Sequence, residues 1–96
     1  MAWLQIDVPA PEGGPDKYEE IRSAFEAQFM ATMAPKDVAM FERSPEPGEY
    51  VFYFSPAAET QFALWISSLG AKECSAPPRA GTTLLIGHAD SLDMLV

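Results

Sequence analysis

The sequence predicts an α+β fold. Apolar spacing switches between a two-residue and a three-to-four-residue period in the order β-α-β-β-α-β, and prolines, glycines and N-cap residues fall at the switches. The chain has 96 residues, 48% apolar and 21% charged, which suits one domain over residues 1–96 built on a single core.

In residues 3–8 Leu4, Ile6 and Val8 alternate with Trp3, Gln5 and Asp7, the pattern of a half-buried strand. The run from Pro9 to Pro15 holds three prolines and two glycines, which can continue neither strand nor helix. Asp16 then stands three residues before Glu19, the spacing of a capping box. Tyr18, Ile21, Phe25, Phe29 and Met33 recur as the buried stripe of the helix that follows, which Pro35 closes.

A second strand is expected over 37–43, a hairpin loop over 44–48 and a third strand over 49–54. The aromatic density of that third strand suits a central position with both faces covered. Ser55-Pro56 starts a second helix over 56–69, with Ala58, Phe62, Trp65, Ile66 and Leu69 inward and Gly70 at its left-handed end. Residues 82–88 form the fourth strand, 71–75 can add a short extra one, and Asp90 can cap a last helical turn. Two β-α-β halves of this kind close as a ferredoxin-like βαββαβ sandwich, a four-stranded antiparallel sheet with two helices on one face. That architecture serves many unrelated functions and names none.

Composition excludes several functions. Cys74 is the lone cysteine and His88 the lone histidine, so a disulfide framework and a Cys-based zinc site are both ruled out. No metal and no cofactor is implied. The N-terminal stretch lacks a basic region and reaches Asp7 before any long apolar run, so neither a signal peptide nor a membrane span is expected and a cytoplasmic setting follows. Fourteen acidic residues against six basic ones, a net charge of −8, oppose binding to nucleic acid or anionic lipid.

Residues able to carry chemistry are few. His88 stands two residues before Asp90, an imidazole and a carboxylate that could make a general base, yet a polar strand end explains the pair as well. Cys74 would need Lys72 or Arg79 to favour its thiolate, and Glu73 opposes that. Gly13-Gly14 lacks the spacing of a phosphate loop and lies between Glu12 and Asp16. Glu19, Glu20 and Glu26 read as the solvated face of the first helix, with Arg22 in partial compensation.

The sheet's second face is where function is expected. With Leu4, Ile6, Tyr50, Phe52, Phe54, Leu84 and Ile86 toward the helices, alternation sends Trp3, Gln5, Val51, Tyr53, Thr83 and Leu85 outward. The segment 90–96 is short for covering that face, so the leading expectation is a non-catalytic interaction module that pairs there with a protein partner or a second copy as a homodimer. One alternative is an acidic inhibitor or immunity-type protein docking on a basic enzyme surface. Another is a small ligand-binding protein or enzyme with a pocket on the same face, where His88 and Arg79 would hold a polar ligand.

Overall fold

The structure, a computed structural model, describes residues 2–9 and 16–96. The elements in order are β1 (Trp3–Pro9), α1 (Lys17–Thr32), β2 (Met40–Glu46), β3 (Glu49–Phe54), α2 (Pro56–Gln61), α3 (Ala63–Ser68), β4 (Lys72–Cys74) and β5 (Thr83–Ile86). A 3₁₀ turn over Ala89–Met94 follows. The result is an α+β domain with a five-stranded sheet in the order β4-β1-β3-β2-β5, every neighbouring pair antiparallel.

The sheet therefore has five strands where closure over four was expected. The short segment at 71–75 supplies the strand beside β1, with Trp3 opposite Cys74 and Gln5 opposite Lys72. The stronger strand near 82–88 lies at the far edge instead, beside β2. Pro77 and Pro78 have no N–H to give a ladder, so the chain leaves the sheet after Cys74 and rejoins it only at Thr83. The aromatic β3 is central, as its two apolar faces predict.

One face of the sheet carries all three helices. Phe52 and Phe54 are fully buried there with Ile6, Val8, Met40 and Ile86, under Ile21 and Phe25 of α1, Ala58 of α2, Phe62, and Ile66 of α3. Phe25 is the hub. Its ring lies 5.5 Å from Phe62, 5.7 Å from Phe54 and 6.2 Å from Trp65, distances at which aromatic pairs add about 0.5–1.5 kcal/mol each beyond area burial.

Local signals set most boundaries. The Asp16 carboxylate accepts from the Glu19 N–H at 3.1 Å and caps α1, while the Glu19 carboxylate holds Arg22 and Ser23. Gly70, at φ +74°, turns the chain out of α3. The helix expected over 56–69 is divided at Phe62, whose φ of −124° and ψ of 36° are not helical, although its N–H still bonds Ala58 and its carbonyl still accepts from Ile66. The chain pivots there and drives the Phe62 ring edge-on against Phe25. Strand β2 starts later and ends later than 37–43, because Ser44 Oγ donates to the carbonyls of Glu46 and Glu49 and carries an irregular pairing past Arg43 to the turn at Gly48.

Two side-chain placements depart from simple periodicity. Met33, expected in the buried stripe, is 91% exposed, because α1 ends at Thr32 and Met33 takes a left-handed φ of 51° as its C-cap. On β5 the pairing shifts between Met40 opposite Ile86 and Phe41 opposite Leu84, so Leu85 is an extra residue. That bulge puts Leu84 on the second face and Leu85 against the helix-side core, the reverse of the alternation.

Candidate functional site

The second face of the sheet is built in rows. Gln5, Tyr53, Phe41 and Leu84 stand opposite one another across four strands, and Asp7, Val51 and Arg43 form the next row toward the hairpin. The first row, with Trp3, is apolar enough to need cover. The chain provides it: Leu95 is buried with Ala39 and Phe41, and Trp3, Tyr53, Leu84 and Met94 pack around them. The Trp3 and Phe41 rings are 5.7 Å apart.

The C-terminal end is fastened by backbone hydrogen bonds. The Arg79 N–H donates to the Val96 carbonyl at 2.9 Å and the Val96 N–H to the Pro77 carbonyl at 3.2 Å. Buried Ser91 donates to the Lys36 carbonyl at 2.6 Å and pins the 3₁₀ turn. Gly87 permits the approach, since a Cβ there would lie 3.0 Å from Ala39 Cβ and 3.3 Å from Ser91 Oγ. The short tail thus makes a second small core where an open aromatic face was expected.

Of the residues expected on that face, Trp3, Gln5, Val51 and Tyr53 are half-buried on it and Thr83 is exposed, while Leu85 is turned to the helices. Burial raises the Tyr53 phenol above its ordinary value, with nearby Arg43 opposing the shift and Cys74 and Asp7 adding to it. His88 and Arg79 belong to different surroundings. His88 lies at the end of α1, its ring 5.6 Å from Phe29 and its Nε2 3.0 Å from the Ala34 carbonyl. Arg79 lies in the loop fastened to Val96.

The chemistry-bearing groups are engaged singly. Asp90 pairs with Lys36 at 3.3 Å. Cys74 is half-buried at the end of β4, where burial raises its thiol and lowers its nucleophilic fraction at neutral pH. Tyr18 donates to the Glu42 carboxylate beneath α1, and its ring packs on Tyr50 and Phe52. Among the described residues no group of three or more His, Cys, Asp or Glu is placed to hold a metal ion. Among the described residues no helix is long and apolar enough to cross a membrane. The Gly13-Gly14 turn lies outside the described residues.

The helical layer presents the surface that periodicity missed. Met30, Met33 and Leu64 are 71%, 91% and 92% exposed. Met30 and Met33 border a groove of about 310 Å³ with Phe29, Ala34 and His88, and Leu64 borders a second of about 410 Å³ between α1 and the α2–α3 junction. Both runs are free of charge: residues 27–35 and 60–71 contain no Asp, Glu, Lys or Arg. A left-handed backbone costs a non-glycine residue roughly 1–2 kcal/mol, and Met33 bears that cost with its side chain in solvent. Pro35 was the signal available in the sequence: it disfavours a helical Ala34 and so takes the last member of the apparent stripe off the helix. No family model, curated protein or solved structure matches the chain.

Proposed function

We propose that the protein is a non-catalytic protein-interaction module whose docking surface is the helical layer. The observation that carries this reading is the coincidence of the large outward apolar side chains Met30, Met33 and Leu64 with two charge-free helical runs in a chain of net charge −8. Met30 and Met33 border one groove and Leu64 a second, and exposed apolar surface of this kind on an otherwise charged small protein suits association. Methionines suit such a surface because an unbranched thioether side chain adapts to the shape it meets. The apolar half of the second sheet face is less suited, since Leu95 and Met94 already pack on it.

We read the β4-β1-β3-β2 part of the sheet, with its helical crossovers, as a ferredoxin-like core to which β5 adds a strand. A lone, half-buried Cys74 fits a reducing, cytoplasmic setting. The test is photo-crosslinking in the cells that make the protein, with the photoreactive residue placed at Met33, at Leu64 or, as a control, at exposed Glu46 of the hairpin. Discrete protein adducts should form from Met33 or Leu64 and not from Glu46. Adducts from neither helical position would overturn the reading.

A further inference from the structure

We infer that the open edge of β4 takes up an extended, basic segment of a partner protein as an added strand, with a lysine or arginine side chain seated in the groove between that edge and α3. The inference goes beyond the helical-layer reading, since none of Met30, Met33 and Leu64 borders this groove. β4 ends the sheet: it pairs with β1 and with no other strand, so the backbone groups on its outer side have no ladder partner among the described residues. Such an edge is a template for one more strand. Main-chain hydrogen bonds then supply affinity, and side-chain pockets beside the edge supply choice. A groove of about 340 Å³ lies beside it on the helix side. Its walls are apolar, with Leu4 of β1, Ala63 and Ile66 of α3 and Ala71 just before β4, and the carboxylates of Glu59 and Glu73 border it. That volume is near the bottom of the range for small-molecule pockets, about 300–1,000 Å³, and suits a side chain better than a cofactor.

Charge chooses the side chain. Glu73 stands opposite Leu4, so its carboxylate lies on the helix-side face of the sheet, whereas Lys72 stands opposite Gln5 and belongs to the second face. Glu59 accepts from the Ala2 N–H at 3.2 Å, and no described Lys, Arg or His borders the groove. An acidic side chain would be repelled there, and a wholly apolar one would strip water from two carboxylates without replacing it. A lysine or arginine lays its methylene stem on the apolar floor and brings its charge to the rim. An inward charge on an edge strand discourages neutral and acidic strands from pairing, while a basic strand meets it as a counter-charge. The net charge of −8 draws a basic partner and repels a second copy of the chain, so the occupant is a foreign protein.

Two-dimensional NMR of the full chain, titrated with three acetylated heptapeptides, tests the inference. The peptides alternate threonine and valine and carry lysine, norleucine or glutamate at the centre. The lysine peptide should shift the amide signals of residues 71–75 and bind at least about tenfold more tightly than the glutamate peptide, with norleucine between them and the spread narrowing as salt rises. Glu73→Lys, a change at an exposed edge position, should reverse the order with signals far from β4 unmoved, and Glu73→Gln should narrow it. A lysine peptide that binds no better than the other two, shifts that avoid residues 71–75, or an order unchanged in Glu73→Lys overturns the inference, as does the absence of binding by all three. None of these outcomes bears on crosslinking from Met33 or Leu64, so the helical-layer reading stands or falls separately.

Discussion

Ser55 shows how much one small side chain can join. It is fully buried, donates to the Asp37 carbonyl at 2.6 Å and accepts from the Ala39 N–H at 3.0 Å and the Ala58 N–H at 3.4 Å, so the start of β2 and the start of α2 share one hydroxyl. Ser55→Ala removes a helix cap and leaves two strand-side groups without their partner. We expect a loss of about 1–3 kcal/mol in urea unfolding, with a single transition retained. Tyr18 carries a different signature. Burial first, then the hydrogen bond and charge of Glu42, raise its phenol well above the ordinary value near about 10. A group raised in the folded state contributes stability that is fully present below its unfolded pKa and lost as pH rises through the folded one. Tyrosinate absorbance should therefore show a late component above about pH 10 that loses one tyrosine's amplitude in Tyr18→Phe, the raised Tyr53 remaining, and an unchanged late amplitude in that variant would contradict the Tyr18–Glu42 contact.

At the scale of elements, legibility tracked how local the determining interaction is. The alternation in β1, the Asp16 and Ser55 caps and the Phe52/Phe54 parity of β3 were all readable, because each depends on near neighbours in sequence and on which side chains are large. The edge taken by β5 was not readable, since nothing within residues 82–88 specifies whether β1 or β2 will receive them. Nor was the Leu84/Leu85 reversal, because the bulge arises in pairing with β2, more than forty positions away in the chain. The C-terminal tail was underestimated for the same reason. Its seven residues from Asp90 are marginal alone, yet Ser91, Leu95 and Val96 each find a distant partner. Leu95→Ala should cost about 2 kcal/mol, at the low end for buried leucines because a chain end relaxes readily, and should raise the solvent exposure of Trp3 as read by its fluorescence. Unchanged stability and emission would mean that the tail does not close the second face.

For the whole molecule, the chain covers one side of its sheet with three helices and the apolar half of the other with Met94 and Leu95, while Met30, Met33 and Leu64 of the helical layer stay exposed. A sequence reading could find the aromatic surplus on the second face but not its cover, and it placed Met33 inside where the structure places it outside. The interaction module survives as a proposal with its surface moved from sheet to helices. Urea unfolding of two double variants, monitored by far-UV circular dichroism, tests that relocation most directly. Trp3→Ala with Tyr53→Ala should destabilise the monomer by about 2–4 kcal/mol, because both rings belong to the second core, whereas Met30→Glu with Leu64→Glu should stay within about 1 kcal/mol of the parent. A sheet-face pair as stable as the parent, or a helical-layer pair that unfolds the domain, would contradict the account.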